Sequence, residues 1–267
     1  MNAFTKRLNQ YGTDVNTHDA IKFLAIIIMT IDHLGAYLYP DFLWFRAIGR
    51  ITFPVWFFLV GYSKSQKIDA YFIGLACVIQ IFNVISFYPL FPLNALFSII
   101  VCRIFVRALM NKSVDFVVNI GLVCFFVGLL PVGVYTGTVF EYGIIAIQYA
   151  LMGRIVRLRN EGEKLNVMAW VYYGLICVYF VFVQNVSFKF VDTQAIFVAF
   201  GTALVVLYLA FYTLHPMEWL SALGVFSGAL KYISRYSLEY YLLHRVILQV
   251  SSVWLNEAHE HVYKWVD

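Results

Sequence analysis

Apolar runs of about 20 residues recur along almost the whole chain, separated by short stretches that carry Lys, Arg, Asn, Asp and Pro. A run of roughly that length crosses the hydrocarbon core of a bilayer as a helix. The pattern predicts nine segments, at about 20–39, 43–63, 70–88, 92–110, 114–131, 139–158, 166–187, 191–214 and 235–256, of which the third and fifth are the least regular. The expected fold is all-α, a polytopic transmembrane helix bundle in which residues 1–267 form one integral membrane domain. Met217 to Ser234 is apolar but interrupted by Gly224 and Gly228, so it reads as an interfacial helix or a further half-span. No small-residue cleavage site follows the first run, so it is expected to be kept as a helix.

Composition agrees with the pattern. Hydrophobic residues make up 62% and charged residues 13% of the chain, and the mean hydropathy is +0.77. A soluble domain carries about twice that share of charge. The net charge of +4 is spread over short loops, which marks membrane orientation and not nucleic-acid binding. With the N-terminus inside, the cytoplasmic segments hold Lys6, Arg7, Lys22, Lys64, Lys67, Arg103, Arg107, Lys112, Arg154, Arg157, Arg159, Lys164, Lys231 and Arg235. The outer segments hold Arg46, Lys189 and Lys264, and Arg50 and Arg245 fall within the membrane. This asymmetry predicts a cytoplasmic N-terminus and places residues 256–267 outside.

Several classes of chemistry lack a signature. Neither a Walker A pattern nor GxGxxG is present, and no internal repeat of the secondary-transporter kind stands out. Cys77, Cys102, Cys124 and Cys177 lie in apolar segments without a CxxC pair and read as small buried hydrophobes, with no metal site expected. The tail residues Glu257, His259, Glu260 and His261 read as a solvated amphipathic end.

What remains is a set of polar residues inside apolar runs. Asp32 and His33 follow Ile26-Ile27-Ile28 in the first segment, where a charge costs roughly 2.5–3.5 kcal/mol. Lys22 precedes His33 by eleven residues, almost three helical turns and about 16 Å of rise, so both lie on one face. A lysine at the membrane surface can hold phosphates while a deeper imidazole acts as base or nucleophile. An extended molecule with a phosphorylated head and a reactive tail, the shape of a coenzyme A thioester, fits that spacing. Asp32 lies nine residues before the turn at Asp41 and Arg50 nine after it, so antiparallel helices would set the two at similar depth. They are expected to pair, whether merely to lock two helices or also to organise His33. His244 lies near the middle of the last segment, flanked by Glu239 and Arg245, and could line one cavity with His33. Asn94, behind Pro89 and Pro92, and Glu141-Tyr142 open later segments on the outer side. They read as an acceptor-side mouth or, individually, as a helix cap and an interfacial anchor.

The stretch Ile27-Ile28-Met29-Thr30-Ile31-Asp32-His33, followed by Gly49-Arg50-Ile51-Thr52-Phe53-Pro54, resembles the start of the TraX family, named for an inner-membrane protein that N-acetylates conjugative pilin. Asn94-Ala95-Leu96-Phe97, Glu141-Tyr142-Gly143-Ile144 and His244 resemble its later motifs in the same order, so the likeness runs from about residue 20 to 250. The chain is also similar to the wider transmembrane acyltransferases, including the acyltransferase type 3 family. There a basic residue, ten intervening positions and a histidine mark the first helix, as Lys22 and His33 do, and an aromatic stretch follows, as in Phe57-Phe58-Leu59-Val60-Gly61-Tyr62.

These resemblances imply a multi-pass protein of the bacterial inner membrane that moves acetyl from cytoplasmic acetyl-CoA to an acceptor on the outer side, a pilin amine or an exported glycan hydroxyl. On that reading His33 is the general base or acyl carrier, with Asp32, Arg50 and His244 completing the catalytic group. Lys22, Arg103 and Arg154 hold the coenzyme phosphates, and Asn94, Glu141 and Tyr142 meet the acceptor. The opposing class is a proton-coupled transporter with Asp32, His33, Arg50 and His244 as its relay. A non-catalytic assembly protein is a third reading.

Overall fold

The computed structural model describes residues 14–86 and 88–263, and the side chains among them except those of Val132, Val134 and residues 255–263. Lys6, Arg7, Lys264 and the side chains of Glu257, His259, Glu260 and His261 lie outside the described set.

The described residues form helices joined by short turns and loops. Helix α1 (Thr17–Tyr37) leads through a turn at residues 38–42 to α2 (Leu43–Arg50) and α3 (Phe53–Tyr62). These are followed by α4 (Ala70–Ile85), α5 (Ala95–Ala108), α6 (Val114–Leu129), α7 (Pro131–Val139), α8 (Gly143–Asn160), α9 (Val167–Phe188) and α10 (Asp192–Ala210). The short α11 (Glu218–Ser221), then α12 (Val225–Arg235) and α13 (Ser237–Tyr263) complete the described fold. Four stretches are long and apolar enough to cross a membrane, Thr17–Tyr37, Leu43–Tyr62, Val167–Phe188 and Asp192–Ala210, and Ala70–Ile85 and Val114–Leu129 are shorter apolar helices. Large apolar side chains such as Val178, Phe182, Ile196 and Phe200 face outward from α9 and α10, as they do where the surroundings are lipid. These features are those of a multi-pass membrane protein.

Two predicted segments differ in form. The second is broken at Ile51-Thr52. Pro54 has no N–H to continue the α2 ladder, and the Thr52 hydroxyl donates to the Gly49 carbonyl at 2.9 Å where the first helix stops. The sixth is preceded by α7, and the left-handed Tyr142 (φ 76) turns the chain into α8. The stretch 217–234 forms α11 and α12, with α12 packed along α1.

Helix α8 forms the centre of the bundle. Nearly all its side chains are buried, and it touches α3, α5, α6, α7 and α9. Its contact with α3 needs reciprocal glycines. A Cβ on Gly61 would fall 1.7 Å from the Ala150 carbonyl oxygen, and one on Gly153 would fall 2.0 Å from that of Phe58. Side-chain caps by Asn16, Asp69, Asn94, Ser113 and Asn166 satisfy free N–H groups at five helix starts. The last helix, α13, returns beside α1 and α4. The first and last helices are thereby neighbours although more than 200 residues separate their midpoints in sequence.

Candidate active site

Asp32 is 5% exposed, on the face of α1 that meets α2. Arg50 Nη2 donates to its Oδ2 at 3.0 Å. Arg46 Nη1 lies 3.1 Å from the same oxygen and donates to the Asp32 carbonyl at 2.8 Å. The approach depends on Gly49, where a Cβ would stand 2.1 Å from Asp32 Cβ and 2.5 Å from Oδ1. The Phe188 ring lies under both guanidinium groups, 5.0 Å from Arg46 and 4.7 Å from Arg50. The sequence reading assigned Arg46 to an outer segment. Four residues before Arg50, it occupies the same face of α2 one turn away and shares the carboxylate. That i,i+4 spacing is the signal that could have found it.

His33 and His244 meet. Their rings stack at 12° with centroids 4.9 Å apart, and His33 Nδ1 is 2.6 Å from His244 Nε2. His244 Nδ1 is 2.7 Å from the Tyr240 carbonyl oxygen. A carbonyl only accepts, so His244 Nδ1 carries a hydrogen. In the neutral ring Nε2 then accepts, and His33 Nδ1 donates to it. In neutral His33 the remaining nitrogen, Nε2, holds the lone pair. The backbone of α13 thus selects the tautomer of a side chain on α1.

A cavity of about 940 Å³ runs along α1 and is lined by Lys22, Asp32, His33, Arg50, Arg103 and Tyr142, with Phe53, Phe57, Tyr241 and Arg235 among its other walls. The structure therefore brings together six of the ten residues singled out from sequence. His244 stands behind His33, outside the lining. Asn94 is committed to local structure: its Nδ2 donates to the Ala76 carbonyl and to Gln80 Oε1, and its Oδ1 caps α5. Glu141 accepts from the Ala95 N–H at 2.9 Å and lies 3.7 Å from Arg245. Arg154 is turned elsewhere, donating to the Met110 carbonyl and approaching Glu161 at 3.9 Å.

At the Lys22 end, Arg235 reaches the cavity from α12 while bound to the buried Asp19. Asp19 carries no signal in the sequence, since its partner lies 216 residues away. No local spacing marks such a pair. Arg245, next to His244, donates to the Tyr241 hydroxyl at 2.9 Å and to Asn83 Oδ1 at 3.2 Å. Among the described residues no group of three His, Cys, Asp or Glu is placed to hold a metal ion.

The family model described as TraX protein matches residues 17–252. A relative in Rickettsia prowazekii (strain Madrid E), the uncharacterized protein RP591, is 33% identical over 150 residues, which is 56% of this chain and 60% of that protein. The chain thus spans less than two thirds of this curated relative's length. No solved structure matches it.

Proposed function

This chain belongs to the TraX protein family, which is associated with pilin acetylation, and from that premise we propose that it is a membrane-embedded acetyltransferase. Acetyl-CoA enters from the cytoplasmic side, and the acceptor is a pilin amine or an exported glycan hydroxyl. The proposal includes a nine-span bundle in the bacterial inner membrane with its N-terminus inside.

The observation that carries this reading is His33 on the cavity wall, backed by His244. Base chemistry needs an imidazole nitrogen with a free lone pair, held in one tautomer and facing room for a substrate. His33 Nε2 has that character, because Nδ1 is occupied by His244 and His244 is fixed by Tyr240. Lys22 and Arg103 meet the same space, about 16 Å along α1 in the case of Lys22. Ammonium and guanidinium groups there suit the phosphates of a coenzyme whose thioester reaches His33. In this scheme His33 takes the proton of the acceptor as it attacks, and Asp32 with its two arginines holds α1 and α2 in register.

The test is transfer from radiolabelled acetyl-CoA by purified protein, with pilin and surface-glycan preparations as acceptors. His33→Ala is expected to insert and purify as wild type and to lose about 10²–10⁴ in turnover. Near-full turnover by that variant would remove His33 from the chemistry.

A further inference from the structure

We infer that Arg50 and Tyr142 form an oxyanion hole for the thioester carbonyl, an inference that rests on the acetyltransferase reading. Both residues line the cavity that holds His33. Arg50 is 7% exposed and donates to Asp32 through Nη2, while its Nε–H is buried without a partner. A buried donor left without an acceptor costs roughly 1–3 kcal/mol, so the side chain gains by turning its Nε–H toward an acceptor that a substrate brings into the adjoining cavity. Tyr142 stands beside it, its ring centroid 5.7 Å from the guanidinium carbon. The backbone holds Tyr142 there from a left-handed conformation at the start of α8, and Phe53 packs on its ring at 4.5 Å.

Charge points the same way. Arg46 and Arg50 share the single carboxylate Asp32, and Arg245 faces Glu141. Three guanidinium groups against two carboxylates leave one positive charge uncompensated in a buried region. An oxygen that becomes negative during reaction is the natural counter-charge.

The acceptor lone pair forms a bond to the carbonyl carbon, and the C=O π pair moves to oxygen, where the Arg50 N–H and Tyr142 O–H receive it. His33 Nε2 takes the acceptor's proton. As the oxygen re-forms C=O, the C–S bond breaks, and the thiolate leaves with the proton from His33. Acetylated acceptor and coenzyme A result, and the enzyme is unchanged.

Purified wild type, Arg50→Lys and Tyr142→Phe are compared with hydroxylamine as surrogate acceptor and either acetyl-CoA or its dithioester analogue as donor, the readouts being acetohydroxamate and thioacetohydroxamate respectively. A thiocarbonyl accepts hydrogen bonds poorly, so the analogue reports the hole directly. Turnover of acetyl-CoA is expected to fall by about 10²–10³ in each variant. The oxygen-to-sulfur rate ratio, large in wild type, should collapse, with coenzyme A affinity unchanged by calorimetry. Tyr142→Phe removes one oxygen atom and keeps the ring, so the test survives if Arg50→Lys fails to fold. Variants that stay fast, or that slow with an unchanged ratio, overturn the oxyanion hole while leaving His33 chemistry standing. A wild type that forms no acetohydroxamate overturns both readings.

Discussion

Helix α1 carries two buried aspartate–arginine pairs, and they are built differently. Near its start, Asp19 is fully enclosed and fully satisfied. Arg235 donates through Nε to Oδ1 at 3.0 Å and through Nη2 to Oδ2 at 2.8 Å, and the Ser234 hydroxyl adds a bond to Oδ1. Near its end, Asp32 places two arginines on one oxygen, leaves Oδ1 without a partner, and leaves Arg50 Nε without one as well. The first arrangement is a bidentate clamp that fastens α12 to α1. The second keeps hydrogen-bonding capacity in reserve beside a cavity, which is the expected cost of a site that must receive something.

The largest test of this contrast sets Arg235→Gln against Arg50→Gln and adds one double-mutant cycle at the Asp19 pair. Arg235→Gln strands Asp19 and is expected to cost about 3–5 kcal/mol of stability. Arg50→Gln leaves Asp32 still paired with Arg46, so it should cost less stability but far more turnover per folded molecule. Thermal unfolding and acetyl transfer measured on both variants decide the matter. Asp19→Asn combined with Arg235→Gln should lose much less than the two single losses together, because the pair is coupled. Equal stability costs at the two sites would erase the distinction between clamp and site.

A smaller effect sharpens the geometry. Gly49→Ala drives a Cβ into Asp32 and should cost about 1–3 kcal/mol through overpacking, lowering turnover as α2 moves away. Gly174→Ala on α9, where an added Cβ meets nothing within 4 Å, should instead be neutral or gain up to about 1 kcal/mol of helix stability. Unfolding midpoints of the two variants that move together would show that the α1–α2 approach is not tight.

The smallest effect lies at the Lys22 end. Lys22→Glu should raise KM for acetyl-CoA about tenfold with a lesser change in kcat, since reversing a phosphate-facing charge acts on binding before chemistry. An unchanged KM in a correctly inserted variant would make Lys22 an orientation signal alone.

Much of the candidate site was legible because it depends on one helix at a time. The common face of Lys22 and His33, and the equal offsets of Asp32 and Arg50 from the turn, follow from a fixed rise and rotation per residue. Arg46 was missed because it was counted as a loop cation, although the same periodicity places it beside Arg50. Arg154 was assigned to the coenzyme from its place at an inner helix end. Its direction, toward the Met110 carbonyl, is set by the packing of α8 against α5 and the loop that joins α5 to α6.

The sequence by itself determined that this is a helical membrane protein, where its apolar segments lie, and which polar residues stand inside them, because hydropathy and helical period are local properties. Tertiary structure alone decided how helices distant in the chain touch. The His33–His244 contact, the Asp19–Arg235 clamp and the tautomer fixed through Tyr240 each join α1 to the last helices of the fold. Such contacts depend on how glycine-lined faces let helices approach and on the rotation each helix adopts in the bundle. No spacing along one chain segment encodes those rotations, since they arise only when all the faces pack at once.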